Sequence, residues 1–579
     1  MLIDDNISNF LLKEGDDLNT LLTSMSNRFF KNRQSGFALV VDREKKLIGV
    51  VADADIRKFL LSYQKLPMNV SEVVNKNFIS ISNILERQVW PSEIARQMAD
   101  RGWGTNYPVR YVPVVDAQGI PTGLIDTQDL KKEIEKFRDQ VVIVGLGYVG
   151  LTVAVALAEV GLRVTGVDSN DKKISQLQSG KSPLYETGIE EIILNRIGKN
   201  LVFQTSLPNN PQGLGQSTYY LICLPTPLDI YTKKMDLTYL DNFSKDLVSA
   251  LKQGDCIVLR STTPLGTGRR LVREIEEIRQ WRVGSDFYFV QAPERTVEGD
   301  ALREIRELPQ IIAGATPACL DRGIKLFGDI SKVTVSVSSL EAAEMIKIAG
   351  NAYRDFSFAF ANQLSEVARE HNVDIDEVIS KSNLNYPRST IPLPSPGVGG
   401  PCLTKDPYLF GLIGKKGSDS NPILSARIYN ESVPKQLVDF LRSKIEKKES
   451  GLVLGLAFKG SPPTDDMRNS TNVEIAHELA SMFRHFASWD AVVNFANLEN
   501  GISEEEIFKE PKYDFIGILN NHDLNASIVK RVLSKTSSKE IVLFDPWRRI
   551  DLNGCVINRN VSKILYVTMS MEKEWRFDN

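Results

Sequence analysis

Histidine and cysteine are both scarce in this chain of 579 residues, and neither is spaced for a metal cluster or a disulfide frame. Four histidines (His371, His477, His485, His522) and five cysteines (Cys223, Cys256, Cys319, Cys402, Cys555) are scattered without short paired spacings. That pattern argues against a zinc site and fits reduced thiols rather than cross-links. An excess of one charge is missing too: Lys+Arg number 70 and Asp+Glu 73, a formal net charge of −3 with a pI near 6.0. So balanced a chain has no broad field for nucleic acid or an acidic membrane, and an anionic ligand must be held by a local pocket. No apolar run approaches the roughly 20 residues that span a bilayer. The opening Met1-Leu2-Ile3-Asp4-Asp5-Asn6 is acidic where a secretion signal is basic and then apolar, so a cytoplasmic location is expected. What is present is an ordinary globular composition over a length that divides into three or four domains.

The first part of the chain repeats itself. Val40-Val41-Asp42, Gly49-Val50-Val51 and Asp55-Ile56 return as Val114-Val115-Asp116, Gly123-Leu124-Ile125 and Asp129-Leu130, each landmark displaced by 74 positions. Each copy reads as strand, turn, strand and a helix opened by an acidic residue. The segment resembles a tandem pair of CBS domains. The resemblance implies an adenine nucleotide between the copies, with Asp55 and Asp129 on a ribose and a Ser or Thr three positions earlier. Here those earlier positions are Ala52 and Asp126, and helix capping alone also explains an acidic residue at Asp55 and Asp129.

Beyond the charged stretch Lys131 to Lys136 the pattern changes. Val141-Val142-Ile143-Val144 reads as a strand, Gly145-Leu146-Gly147-Tyr148-Val149-Gly150 as a tight turn, and Val149 to Val160 as an apolar helix. Arg163 to Val167 reads as the next strand, ending at Asp168. Glycines in that turn let backbone amides approach a pyrophosphate at a helix N-terminus. Asp168 would accept bonds from the adenine ribose and repel the 2′-phosphate of NADP, and Ser169-Asn170-Asp171 offers no arginine to neutralise it, so NAD is the expected cofactor.

The same chain carries Cys402 in Gly399-Gly400-Pro401-Cys402-Leu403-Thr404-Lys405-Asp406. A hydride leaves an aldehyde carbon only after a nucleophile has added to it, and a thiolate both adds and departs readily. A thiol paired with a hydride acceptor therefore points to an alcohol oxidised past the aldehyde to an acid. Lys405 and Asp406 give the thiol a charged setting. Lys347 and Asn351 lie one helical turn apart on one face, a cation and an amide able to form an oxyanion pocket. The apolar run Phe356 to Ala361 implies that this helix has little free surface. Leu221 to Pro227, Val258 to Pro264 and Gln291 to Gly299 each run from an apolar strand into a polar turn, where doubly wound sheets place ligand loops.

With these segments, and with Phe458-Lys459 ahead of Thr464-Asp465-Asp466-Met467-Arg468-Asn469-Ser470, the chain resembles the UDP-glucose/GDP-mannose dehydrogenase family over about three quarters of its length. The two resemblances together imply an α/β architecture in four parts: a regulatory CBS pair (1–137), which is itself a departure from the dehydrogenase family, then a Rossmann-type NAD-binding domain (138–335), a central helical dimerisation region with the cysteine loop (336–440), and a smaller Rossmann-like UDP-sugar-binding domain (441–579). It implies that Cys402 is the nucleophile and that Lys347 and Asn351 hold the oxyanion. Asp406, Glu294, Glu298 and Thr262 then share the proton and water chemistry. Gly145, Gly147, Tyr148, Val149, Gly150, Asp168, Lys173, Thr226, Thr262 and Arg468 are assigned to the cofactor. Glu294, Arg295, Lys347, Asn351, Arg354, Gly399, Gly400 and Lys459 are assigned to the sugar nucleotide, with Arg388 reaching a partner's sugar across a homodimer. Pro293-Glu294-Arg295-Thr296 and Tyr386-Pro387-Arg388 are closer to the branch acting on UDP-N-acetylhexosamines such as UDP-ManNAc or UDP-GlcNAc, which supplies surface polysaccharide precursors, than to UDP-glucose oxidation. Pro401, Thr404, Arg260 and Ala292 depart from the familiar pattern. Two rival readings stay open: a two-electron dehydrogenase in which Cys402 is structural, and a nucleotide sensor without turnover.

Overall fold

The computed structural model describes residues 7–27, 29–30, 33–34, 36–85, 89–101, 103, 109–127, 140–208, 217–229, 231–388, 390–413, 421–446 and 449–577. They form two compact units, one of residues 1–141, 157–163 and 208–218, the other of 142–156, 164–207 and 219–579.

In the first unit the sequence repeat becomes a structural one. Strand β1 (Leu11–Lys13) pairs with β2 (Phe37–Val41), and β2 with β3 (Leu47–Ala52); β4 (Ile81–Ser82), β5 (Tyr111–Val115) and β6 (Pro121–Asp126) repeat the arrangement. The copies agree in detail. Asp42 Oδ1 accepts the amides of Glu44 and Lys46, as Asp116 Oδ1 accepts those of Gln118 and Ile120, and both hairpins shift register at the same point. Phe37 and Tyr111, equivalent across the repeat, meet with ring centroids 5.3 Å apart in a core shared with Val50 and Leu124, another equivalent pair. Each copy thus buries its apolar face against the other, which one copy alone cannot do. Helix α1 (Asp53–Tyr63) follows β3, and the Asp55 carboxylate accepts the Ala52 amide at 2.9 Å, so this aspartate caps its own helix. Asp129 and the stretch Lys131 to Lys136 lie outside the described residues.

The second unit holds two twisted sheets. The larger contains β7 (Gln140–Val144), β8 (Arg163–Val167), β9 (Leu201–Gln204), β10 (Thr218–Ile222), β11 (Cys256–Leu259), β12 (Tyr288–Gln291), β13 (Gln310–Gly314) and β14 (Thr334–Ser336), in the order β9-β8-β7-β10-β11-β12-β13-β14. β10, β11 and β12 pair in parallel and β12 meets β13 antiparallel. Strand order reverses between β7 and β10, and a crevice opens at the carboxyl ends of the strands there. The smaller sheet contains β15 (Ser450–Leu454), β16 (His485–Trp489), β17 (Phe515–Ile518), β18 (Glu540–Phe544), β19 (Lys563–Val567) and β20 (Glu572–Arg576), ordered β16-β15-β17-β18-β19-β20, with its own reversal between β15 and β17.

A helix of 31 residues, here α5 (Leu340–Glu370), runs between them. Ser339 caps it by accepting the Ala342 amide at 3.1 Å, worth about 1 kcal/mol. Its inward face mixes polar and apolar residues. Glu344, Asn351, Asp355, Asn362 and Ser365 are buried beside Ile348, Ala352, Ala359 and Ala361, while Tyr353, Phe356 and Phe360 are 67%, 40% and 49% exposed. The run Phe356 to Ala361 is therefore split, contrary to the expectation that this helix has little free surface: its alanines face inward, and Phe356 and Phe360 join Tyr353 in an outward aromatic stripe.

Among the described residues no helix is long and apolar enough to cross a membrane, and no group of three or more His, Cys, Asp or Glu is placed to hold a metal ion.

Candidate functional site

The second unit contains a cleft of about 1950 Å³ lined by the Gly145 turn, the loops after β10, β11 and β12, the middle of α5, the cysteine loop and the loops after β15. A site for one drug-sized ligand is roughly 300–1000 Å³, so this cleft has room for two large ligands together.

At one end the fingerprint forms a cradle. Gly145 has φ +89°, and a Cβ there would lie 2.6 Å from the Cys223 carbonyl oxygen; a Cβ on Gly150 would lie 1.8 Å from the Gly145 carbonyl oxygen. Gly147 faces open space. Helix α2 (Tyr148–Glu159) begins directly after it, presenting free amides and the positive end of its dipole. At the end of β8, Asp168 Oδ2 accepts the Leu146 amide at 2.9 Å and the Lys173 ammonium at 2.7 Å. Burial alone would raise this carboxyl, but Lys173 and the amides of Leu146 and Asn170 hold it below its ordinary range. A cradle closed to side chains, open at Gly147 and ending in a fixed carboxylate fits a dinucleotide with a free ribose diol. Thr226 Oγ1 donates to the Thr262 carbonyl at 2.7 Å, tying the loops after β10 and β11 together ahead of α3 (Thr267–Arg279).

Cys402 lies at the other wall, exposed to the cleft and enclosed by protein behind. Its carbonyl accepts the amides of Lys405 and Asp406 at 3.2 and 3.0 Å, a turn that leads into α6 (Asp406–Ile413). Burial pushes the thiol up, Lys347 and Lys405 pull it back, and Asp406 and Glu298 oppose them. Lys347 also lines the cleft and has no hydrogen-bond or ion-pair partner among the described residues, leaving its charge uncommitted. Asn351 donates to Asp406 Oδ2 at 2.6 Å, and Lys405 to Asp406 Oδ1 at 2.7 Å. Asp406 is therefore fully buried behind the cysteine, both oxygens engaged.

The two glutamates after β12 differ sharply. Glu294 is buried against Arg260 and accepts the amides of Arg295 and Thr296 at 2.7 and 2.9 Å. Burial would raise it, yet Arg260 and those amides keep it below the usual carboxylate range. Glu298 is pushed up to about 8, first by burial and then by the Asp466 carboxylate, against Arg468 and Lys459. Its Oε2 accepts no donor. Lys459 donates to the Glu298 carbonyl at 2.6 Å and is itself brought down to about 8 by burial. Arg468 forks onto Asp466, reaches Glu298 at 3.4 Å and lies 6.0 Å from the Tyr148 ring centroid. Tyr148 in turn donates to Asp465, so the first residue of α2 is joined to the turn after β15.

Arg295, Arg354, Gly399 and Gly400 line the cleft; Arg388 does not, and packs instead on Tyr386 with its Nε donating to the tyrosine oxygen at 2.9 Å. Sequence reasoning missed two supports. Glu186 accepts the amides of Gly299 and Leu302 at 2.8 and 3.2 Å, fixing the turn that carries Glu298 at the start of α4 (Ala301–Glu307). Arg427, on α7 (Pro422–Lys444), donates to the carbonyls of Leu403 and Val398.

A dinucleotide cradle that shares one cavity with a thiol and an unpaired ammonium defines a nicotinamide-dependent dehydrogenase. Residues 139–331 match the NAD binding domain, and 341–432 the central domain, of the UDP-glucose/GDP-mannose dehydrogenase family; residues 8–62 match a CBS domain. The chain is 31% identical over 356 residues to a UDP-N-acetyl-D-mannosamine dehydrogenase of Campylobacter jejuni, covering 59% of this chain and 84% of that one. It is likewise 31% identical over 346 residues to an NDP-N-acetyl-D-galactosaminuronic acid dehydrogenase of Ralstonia solanacearum, covering 58% and 79%. The solved structure of the UDP-D-ManNAc dehydrogenase from Pyrococcus horikoshii superposes with a TM-score of 0.64 at 27% identity, over 74% of this chain and 99% of that one. This chain belongs to the UDP-glucose/GDP-mannose dehydrogenase family and is an NAD-dependent nucleotide-sugar dehydrogenase.

Proposed function

We propose that the chain oxidises carbon 6 of a UDP-N-acetylhexosamine, UDP-ManNAc or UDP-GlcNAc, to the uronate through a thioester on Cys402, supplying surface polysaccharide precursors. The observation that carries this reading is the sharing of one cleft by the Gly145 cradle, Cys402 and the Lys347–Asn351 face of α5. UDP-ManNAc follows the relatives' names, and UDP-GlcNAc is its epimer.

NAD, when bound on the glycine turn, would supply a hydride acceptor for each two-electron step, one molecule for the first and, after exchange, a second for the other. Glu298 takes the hydroxyl proton as the alcohol becomes an aldehyde; Glu294, already ionised and paired with Arg260, serves as a fixed wall of the site. Glu298 then returns its proton to solvent. Cys402, its thiol proton released to solvent, bonds through Sγ to the aldehyde carbon, and the oxygen that gains charge lies against the Lys347 ammonium and the Asn351 amide. Once the second electron pair has left, a thioester remains. Water oriented by Thr262 adds to it, its proton passes to Glu298, and the carbon–sulfur bond breaks to free the acid, which ionises to the uronate as the departing thiolate takes up a proton. Asp406, enclosed behind the loop, keeps Asn351 and Lys405 in place. Arg468 and Tyr148 join the C-terminal turn to the cofactor helix, and Lys459 and Arg295 meet the sugar nucleotide. A panel of UDP- and GDP-sugars assayed for NADH and acid tests the reading. Two NADH per uronate from a UDP-N-acetylhexosamine supports it, one NADH per sugar defeats the thioester route, and a preference for UDP-glucose corrects the substrate.

The outward stripe of α5 is the surface on which a homodimer would close, since a monomer rarely leaves so much contiguous aromatic area wet. Phe360→Asp is expected to shift the chain to half its native mass in analytical ultracentrifugation; a wild-type monomer would remove the dimer. We further propose that the CBS pair binds an adenine nucleotide that tunes turnover. Calorimetry with ATP and AMP should show binding and the assay a change in rate, and finding neither would refute regulation by this module.

A further inference from the structure

Arg427 is 1% exposed, yet its guanidinium spends two of its bonds on the backbone around Cys402. Nη1 donates to the Leu403 carbonyl at 3.1 Å and Nη2 to the Val398 carbonyl at 3.3 Å. These carbonyls stand on either side of Gly399-Gly400-Pro401-Cys402, so one planar fork closes the loop at both ends. Lysine, a point donor on a flexible stem, has no such shape. The fork is itself oriented: Nη1 also donates to Asp355 Oδ1 at 2.8 Å, and Asn430 donates to the same oxygen at 3.0 Å.

Asp355 lies one helical turn beyond Asn351 on α5. Asn362, two turns further, accepts the Ser395 amide at 2.8 Å. One polar stripe therefore grips the cysteine segment at Ser395, through Arg427 at Val398 and Leu403, and through Asn351 at Asp406. A purely structural account of this arrangement is poor. Among the described residues Asp355 Oδ2 has no hydrogen-bond partner and Arg427 Nε has only the Glu431 carboxylate at 3.6 Å, and apolar residues of similar volume often hold a core at least as well. Asp355 keeps a raised carboxyl, at about 6, chiefly through burial that Arg427 does not fully offset. What the arrangement does supply is a fixed path for the short run of backbone that carries the sulfur.

We propose that Arg427, oriented by Asp355, is a positioning residue that holds the Cys402 sulfur within bonding reach of the substrate's aldehyde carbon. The inference rests on Cys402 being the nucleophile. It separates the two oxidations. In the first, the alcohol carbon gives a hydride to NAD and its hydroxyl a proton to a base, and sulfur takes no part. In the second, a carbon–sulfur bond must form before the next hydride can leave. A displaced sulfur spares the first step and lets aldehyde escape.

Arg427→Lys, Arg427→Met and Asp355→Asn should each be assayed for NADH per sugar consumed, for aldehyde trapped as its oxime with hydroxylamine, and for the rate at which iodoacetamide labels Cys402. In Arg427→Lys and Arg427→Met the NADH ratio is expected to fall from two toward one, with oxime appearing and acid formation slowed about 10²-fold, the scale of an ångström's misplacement. The labelling rate should change, and the KM for NAD should hold. Asp355→Asn, whose amide oxygen still accepts from Arg427, should lie between these and the native chain. Two results overturn the proposal: native acid yield with two NADH in Arg427→Lys and Asp355→Asn, or a loss of both steps in proportion, which marks a merely structural role. Should Arg427→Met fail to fold, the other two variants decide. Cys402→Ala separates the underlying reading. If that variant still forms acid the nucleophile assignment fails, whereas if it stops at the aldehyde and the Arg427 variants do not, only the positioning role falls.

Discussion

Cys402→Ser is expected to cut uronate formation by roughly 10³-fold or more, the scale seen when an essential nucleophile is removed, while leaving the first oxidation measurable. The separation follows from where the sulfur lies. It faces the cleft at the end of the cysteine loop, near Lys347 and Lys405, and touches nothing that the Gly145 cradle needs. A serine oxygen has no comparable access to its anion, and an oxygen ester is a poorer acyl donor to water than a thioester. A rapid-mixing experiment should therefore show one equivalent of NADH per site, aldehyde captured by hydroxylamine, and little acid. Two NADH per acid at the native rate would show that the adduct does not form on this residue, and the chain would have to oxidise an aldehyde hydrate instead. Loss of NAD binding in the variant would show that the residue belongs to the cofactor pocket.

The parts of this site legible in the chain are those whose constraint is local. Gly145 and Gly150 are readable because the backbone itself forbids a side chain there, and Lys347 and Asn351 because four residues of helix put them on one face. The CBS-like pair is legible for a similar reason: a shared interface requires Phe37 and Tyr111 to match, so the 74-residue displacement survives in the text of the sequence. Glu186 and Arg427 were not legible. Glu186 meets Gly299 across 113 positions and Arg427 meets Val398 across 29, and nothing near either residue announces the partner. Glu294 and Glu298 were equally inseparable, being two carboxylates in one turn. Only the placement of Arg260 beside one and Asp466 beside the other gives them different chemistry. The run Phe356 to Ala361 misled because its small and large members part company: Ala359 and Ala361 share the buried face with Asp355 and Asn362, which leaves Phe356 and Phe360 on the other side.

Glu298→Gln should lower kcat by about 10²- to 10⁴-fold and abolish a rising limb of the pH–rate profile, the range associated with loss of a positioned base. Glu298 is protonated below about 8, because burial and the Asp466 carboxylate both disfavour its charge. Acting as a base it must first lose that proton, so the native rate should climb with pH and level off above about 8. The same shift makes an independent stability prediction. A carboxyl whose folded pKa lies above its unfolded value stabilises the fold fully below the unfolded value near 4.5, and that contribution is lost as pH rises through about 8. Lys459, lowered to about 8, works in the opposite sense: its burial favours the fold at high pH and disfavours it as pH falls through that value. Removing the carboxylate also takes from Lys459 an attraction that favours its charge, so the comparison reads the pair, with the larger shift, that of the raised carboxyl, setting the sign. Glutamine carries no charge at any pH, so the variant should melt above the native chain at pH 9 and no higher at pH 4.5. Loss of activity without that crossover in melting temperature would mean that Glu298 is ionised throughout and acts as a ligand for the sugar rather than as the base. A crossover with an unchanged rate profile would place the base elsewhere in the cleft.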